Sequence, residues 1–399
     1  MIGLADVEEA RRRLAAVIRP TPVVPSTSLS GLAGRPVLLK PEYRQRTGSF
    51  KIRGAYNFMA GLEASARRVV AGSAGNHAQG VALAASLTGR RATVFMPTTA
   101  ALPKVDATRA YGADVRLTGS SVDDCIAAAR EHAAATGAVL VPPFDDRRVI
   151  AGQGTIGLEI AEEAPQARTV VVPIGGGGLI SGIAAAMAAA QAGTRVVGVE
   201  AAGAPTMRAA LDAGRCVPLP AVATMADGIA VKSACDLTLR HVQRLVADVV
   251  TVTEEEISAA LLLLLERAKA VVEPAGAVGL AAVLNGSVGG EGPVVVVLSG
   301  GNVDPQLLIK LIDHGLSVSG RYLVLRIVLR DSPGALASLT TEVARLGLNV
   351  LDVEHHRAGA AVAVDEVEVV LTLETRDPTH RAEVVASLSG LGYRVELVR

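Results

Sequence analysis

Along the first three quarters of the chain, short apolar runs alternate with longer stretches rich in alanine. RRVVAGS precedes NHAQGVALAASLTG, RATVFMP precedes ALPKVDATRAYG, and ADVRLTG precedes SVDDCIAAAREHAAATG. The β-branched runs predict strands, and the apolar positions at helical spacing predict helices between them. Strand and helix in alternation predict βαβ units, and therefore a parallel α/β sheet. RTVVVPI, RVVGVEA and PVVVVLSGG extend the series; their unbroken apolar character predicts central strands covered on both faces. EEEISAALLLLLERAKAVVEPAGAVGLAAVLNG adds two helices before the last of these strands. No self-similarity at periods of about 20–50 residues is visible, which excludes a solenoid or propeller.

After DPQLLIKLIDHG the chain passes a Ser/Gly link at residues 316–320 and changes texture. YLVLRIVLR, PGALASLTTEVARLG, LNVLDVEHHR, VAVDEVEVVLTLETR, DPTHRAEVVASLSGLG and YRVELVR read as strand, helix, strand, strand, helix, strand. That is the ferredoxin-like βαββαβ order. The expected division is a first domain over 1–319, with a smaller subdomain of roughly 55–150 inserted in a larger one, and a second domain over 320–399.

At about 150 residues per domain, 399 residues accommodate this division. Basic and acidic residues number 39 each, so no broad field is available for nucleic acid or an anionic membrane. The segment 169–194 carries no charge and is long enough to span a bilayer. Its Pro173, its four glycines and its many alanines instead predict a buried strand, a turn and a small-residue helix. The N-terminal segment lacks a signal-peptide apolar run, and Cys125, Cys216 and Cys235 form no CxxC pair. The expectation is a cytoplasmic protein with buried, unpaired thiols.

Candidate chemistry gathers at strand ends. Lys51 follows Ser49 and Phe50 just ahead of a helical run; a lone lysine is ordinarily a surface charge. Ser73-Ala74-Gly75-Asn76-His77 ends a strand and opens a helix, where backbone N–H groups suit an anion or simply form a cap. Gly175-Gly176-Gly177-Gly178, followed by Leu179, separates another strand from a helix, as a phosphate cup or a close-packing turn. It matches neither GxGxxG nor GxxxxGK[ST], which disfavours a dinucleotide or P-loop site. Ser299 ends the strand PVVVVL in SGGNVD, at the sheet edge where open α/β folds bind ligands. A lysine, an Asn-bearing anion loop, a glycine cup and a strand-end serine together describe a pocket for a phosphorylated aldehyde held by the lysine; pyridoxal 5′-phosphate fits.

SFKIRGA, SAGNHAQG, VPIGGGGL and LSGGNVD, in this order, resemble the motifs of the fold-type-II pyridoxal-phosphate enzymes (tryptophan synthase β-like), and most closely those of the threonine dehydratases, over residues 5–315. The segment VLRDSPGALASLTTEVARLGLNV resembles an ACT domain, a small amino-acid-sensing module. The resemblance implies that Lys51 holds the cofactor aldehyde and then serves as base for the substrate Cα proton. Phe50 would lie near the cofactor ring, Asn76 would bond its hydroxyl, Gly175–Gly178 and Leu179 would hold the phosphate, and Ser299 would meet the ring nitrogen. Ser73, Gly75 and His77 would line the substrate carboxylate site. Asp227 and Glu273 match positions near the cofactor and the active-site entrance. The activity implied is α,β-elimination from L-threonine, giving 2-oxobutanoate and ammonia, with side activity on L-serine. In an ACT-like module the turn Arg330–Gly334 and Asn349 would hold an amino-acid effector against a neighbouring copy, which implies a homo-oligomer.

Serine racemases, a similar family, use a serine as second base where this chain has Ala74, which disfavours racemisation. They also hold a cation through an acidic cluster; here Glu200 is kept but Thr206 stands where another carboxylate would help, so no metal is expected. Competing readings are elimination from serine or a 3-hydroxyaspartate, and a non-catalytic amino-acid sensor.

Overall fold

The structure, a computed structural model, describes residues 1–318, 320–357 and 363–398. They form two compact units, Met1–Leu307 and Leu308–Arg399. The first contains β1 (Val24–Pro25), β2 (Val37–Lys40), β3 (Arg68–Gly72), β4 (Arg91–Met96), β5 (Asp114–Leu117), β6 (Val139–Leu140), β7 (Thr169–Pro173), β8 (Arg195–Ala201), β9 (Asp248–Val252) and β10 (Val294–Val297). Six of these make one sheet in the order β1-β2-β10-β7-β8-β9, and four make a second in the order β5-β4-β3-β6. Only β1 runs antiparallel to its neighbour. The uninterrupted valines of β7 and β10 are buried at every position, as strands covered on both faces require.

Local signals start the helices. Ser121 and Asp124 bond each other's backbone N–H ahead of Val122–Thr136, and Thr253 and Glu256 do the same ahead of Glu254–Ala268. The uncharged segment folds as β7, a turn and the helix Gly178–Ala190; among the described residues no helix is long and apolar enough to cross a membrane. Helices Arg147–Glu163 and Gly178–Ala190 touch backbone to backbone, because a Cβ on Gly182 would lie 2.3 Å from the Ile150 carbonyl oxygen.

A buried charge network, not foreseen from sequence, ties β2 to helices Lys51–Ala60 and Arg147–Glu163. The fully buried Arg53 donates to both carboxylate oxygens of Glu42, at 2.8 and 2.9 Å, and to those of Glu159, at 2.5 and 3.0 Å. Lys40, equally buried, contacts Glu159 at 2.7 Å and Glu163 at 3.2 Å. Every charge has a partner, so burial is tolerated.

The second unit contains β11 (Tyr322–Arg330), β12 (Asn349–His356), β13 (Glu366–Glu374) and β14 (Arg394–Leu397), in the order β12-β13-β11-β14, with helices Ala335–Arg345 and Pro378–Gly390. Leu323, Leu325, Ile327 and Leu329 of β11 alternate inward to meet Leu339, Val343, Val384 and Leu388. This is the expected βαββαβ order. Two details differ. Helix Pro305–Val318 runs through most of the anticipated Ser/Gly link, whose Ser319 lies outside the described residues. The strand expected to begin at Val362, also outside them, is described from Glu366.

Arg53→Ala strands Glu42 without the buried cation it pairs with; the expected loss is about 3–5 kcal/mol of stability, read from chemical denaturation midpoints.

Candidate active site

Ser73, Gly175 and Ser299 lie just past the carboxyl ends of β3, β7 and β10. The loop carrying Lys51 is stitched to the last of these ends: Phe50 N–H donates to the Ser299 carbonyl at 3.2 Å, and Gly301 N–H to the Gly48 carbonyl at 2.9 Å. Lys51 is the first residue of helix Lys51–Ala60, where the helix dipole disfavours a cation. Its Nζ donates to the Pro143 carbonyl at 3.2 Å and lies 5.1 Å from the centre of the Phe50 ring. Burial pushes its pKa down to about 8, against the opposing pull of Glu273. No carboxylate of the described residues ion-pairs with it.

Pro143 links this lysine to the glycine turn, since the next residue, Phe144, packs on the turn. A Cβ on Gly176 would lie 2.3 Å from the Phe144 ring, and one on Gly178 would lie 2.8 Å from the Phe144 Cβ. Gly177, at φ +86°, caps helix Gly178–Ala190 in a conformation that disfavours other residues. Close packing therefore accounts for the glycines, and the same turn places Leu179 and the unpaired N–H groups of a 13-residue helix start at the site. Sequence reasoning missed Phe144. Its signal was an aromatic directly after Pro142-Pro143, just beyond the short strand Val139–Leu140.

In the Ser73–His77 loop, Ser73 Oγ accepts from Gly75 N–H at 3.3 Å, and Asn76 opens helix Asn76–Leu87. Asn76 Nδ2 donates to Glu273 Oε1 at 2.7 Å. The buried imidazole of His77 donates from Nε2 to the Val141 carbonyl at 3.1 Å. Burial and nearby Lys51 push its pKa down to about 3, so the ring is neutral. What His77 offers an anion is its backbone N–H in the first helical turn.

Glu273 caps helix Pro274–Leu284 and is buried; burial and Asp227 push its pKa up to about 7 despite the Asn76 bond. Asp227 instead faces Lys104, whose Nζ lies 2.6 Å from its Oδ2. The same Nζ lies 4.0 Å from the point where a Cβ on Gly75 would stand, so Lys104, also missed from sequence, borders the anion loop. Glu200 is buried with both oxygens engaged, accepting from Met207 N–H at 2.6 Å and Arg208 N–H at 2.9 Å. Of the cysteines, Cys125 is buried as expected, whereas Cys216 and Cys235 are half-exposed; all three are free.

In the second unit Asn349 sits opposite Glu374, which pairs with Tyr322 at the start of β11, whereas the turn Arg330–Gly334 follows the end of β11. The two effector candidates thus lie at opposite ends of one sheet. His355 and His356 are both exposed on β12.

A half-buried lysine held partly neutral, beside a glycine turn and an asparagine loop on the carboxyl edges of parallel strands, defines a class of enzyme that binds a phosphorylated carbonyl cofactor through an amine. The chain belongs to the pyridoxal-phosphate dependent enzymes, whose family profile matches residues 14–300, and it carries an ACT domain matched over 323–390. It is 47% identical to the L-threonine ammonia-lyase of Geobacter sulfurreducens and 48% to that of Thermotoga maritima, over the full length of each chain. Among solved structures, a T.th. threonine deaminase matches with 42% identity and a TM-score of 0.73, over 76% of this chain and 99% of that one. Maize serine racemase matches with 36% identity and a TM-score of 0.74, over 79% and 98%. The residues fit pyridoxal phosphate: among the described residues no carboxylate ion-pairs with Lys51, whose amine is held partly neutral, and the helix start beyond Gly177 has no side-chain cap on its N–H donors.

Trapping of pyridoxal phosphate on Lys51 by borohydride should rise with pH around a midpoint of about 8, because only the neutral amine attacks. Glu273→Gln removes a charge that favours the ammonium, so the midpoint should move down; an upward shift in the trapping profile would contradict this reading.

Proposed function

We propose that this protein is a pyridoxal-phosphate-dependent threonine ammonia-lyase. It converts L-threonine to 2-oxobutanoate and ammonia, acts more slowly on L-serine, and is controlled by an amino acid at its ACT domain. The observation that carries the reading is Lys51 held beside Asn76, Ser299 and the glycine turn, in a chain 47% identical over its full length to a protein named for that activity.

The cofactor, when bound, delocalises the electron pair left at Cα once its proton is removed. The chain's residues do the rest. With a pKa of about 8, Lys51 has about a tenth of its amine neutral at pH 7, a far larger share than an ordinary lysine, and so can take up the Cα proton. The helix start at Gly178 and the residues Gly175–Leu179 would hold the phosphate; backbone N–H groups of the Ser73–His77 loop would hold the substrate carboxylate. Phe50 and Phe144, both half-buried, shield the lysine from water. Ser299 would meet the ring nitrogen with an uncharged hydroxyl, which would leave that nitrogen unprotonated and weaken the electron sink, a condition that favours prompt elimination. Ala74 stands where serine racemases use a serine as second base, which disfavours racemisation. The protein acts in the cytoplasm as a homo-oligomer, in which Asn349 of one copy would meet Arg330–Gly334 of another.

Purified protein loaded with pyridoxal phosphate should show an absorbance band that shifts on adding L-threonine, with 2-oxobutanoate appearing in a coupled dehydrogenase assay. Lys51→Ala should abolish both the band and the ketoacid, by at least about a thousandfold in rate. A shifting band without ketoacid would move the reaction to another substrate; no band at all would favour a sensor.

A further inference from the structure

Asn302 was not singled out from the sequence, yet it joins three elements of the site. Its Nδ2 donates to the Thr47 carbonyl at 2.6 Å and to Asn76 Oδ1 at 2.7 Å. Asn76 Nδ2 then donates to Glu273 Oε1 at 2.7 Å. The direction of this chain is set at one end by a backbone carbonyl, which can only accept. Both hydrogens of the Asn302 amide are therefore spent, one on each acceptor. Asn76 must turn its carbonyl toward Asn302, which leaves its own amide nitrogen with one hydrogen on Glu273 and one to spare.

The surroundings are shaped for this contact. Gly48 has φ +70°, and a Cβ there would stand 2.5 Å from Asn302 Oδ1, so a side chain would evict the asparagine. Thr47 itself holds a left-handed conformation, φ 64°, with its carbonyl turned to Asn302. A Cβ on Gly300 would lie 2.3 Å from Glu273 Oε1, so the other end of the chain is equally crowded. The glycines of TGSFK and SGGN thus open the space through which one amide reaches two acceptors.

We propose that Asn302 is a positioning residue: it fixes the amide of Asn76 with a spare N–H facing outward, so that Asn76 acts as a donor toward the oxygen of the cofactor's ring hydroxyl. This rests on the proposed cofactor role of Asn76. A primary amide is required. A carboxylate at 302 has no hydrogen for the Thr47 carbonyl and would draw the Asn76 NH₂ toward itself, turning the Asn76 carbonyl to face the ring oxygen and repel it.

The test uses the full-length protein and pyridoxal phosphate with Asn302→Asp, Asn302→Ala, Asn76→Ala and the double variant Asn76→Ala/Asn302→Asp. Asn302→Asp should weaken cofactor retention about tenfold in equilibrium dialysis and move the pH midpoint of the bound-cofactor absorbance band by about one unit. Asn302→Ala, which frees the Asn76 amide without inverting it, should produce a smaller change in both. On the Asn76→Ala background, Asn302→Asp should change neither further. If Asn302→Asp lowered the melting temperature while leaving the band and the affinity untouched, or moved them equally with and without Asn76, the positioning role would be overturned. A native protein that binds the cofactor but releases no 2-oxobutanoate would sink the proposed reaction and leave this inference standing. One that binds no cofactor would sink both.

Discussion

Two backbone hydrogen bonds, from Phe50 to Ser299 and from Gly301 to Gly48, hold the cofactor-side architecture together. A side-chain bond from Asn302 to the Thr47 carbonyl, across 255 positions, joins the same two loops. Because a parallel sheet delivers all its strand ends to one edge, such remote loops meet there without a dedicated scaffold. Once these loops are paired, the first turn of the lysine helix has one orientation, and Arg53, two residues on, anchors that turn through Glu42 and Glu159. The reactive amine is thus placed by backbone bonds on one side and by a buried ion network on the other.

Burial is the common cause of the site's electrostatics. It lowers the lysine, raises Glu273 and keeps His77 neutral, because each charged form loses hydration that the interior does not replace. Lys51 and Glu273 therefore titrate within reach of neutral pH, one near 8 and the other near 7. Groups so poised can hold or release a proton near neutral pH with little driving force in either direction. The same argument separates Glu200 from this set: its shift has the same cause, but both its oxygens are spent on backbone N–H groups of the helix they cap.

The second unit obeys a different constraint. Its sheet is antiparallel, with one face under two helices, so β11 and β13 alternate buried and half-exposed residues where β7 and β10 are buried throughout. β12 lies at the edge with nearly every residue exposed, and Asn349 at its start is separated from the Arg330–Gly334 turn by the length of β11. The two effector candidates are thus held apart within one copy by the length of a strand.

By itself the sequence determined the element types and their order. Valine runs as in β7 have nowhere to go but the middle of a covered sheet, and the inward alternation in YLVLRIVLR demands a one-sided one. It also marked candidates for chemistry, because Lys51, Asn76, the glycine turn and Ser299 each stand at a strand end or helix start, and their order resembles one family's motifs. Only the tertiary structure decided how they are used. The imidazole of His77 turned to a strand carbonyl, Phe144 came to rest on Gly176, Lys104 reached Asp227, and Asn302 bridged Thr47 and Asn76. These choices were illegible because hydrogen-bond direction and burial depend on partners brought close by folding, and periodicity along the chain carries no record of which distant groups will be neighbours.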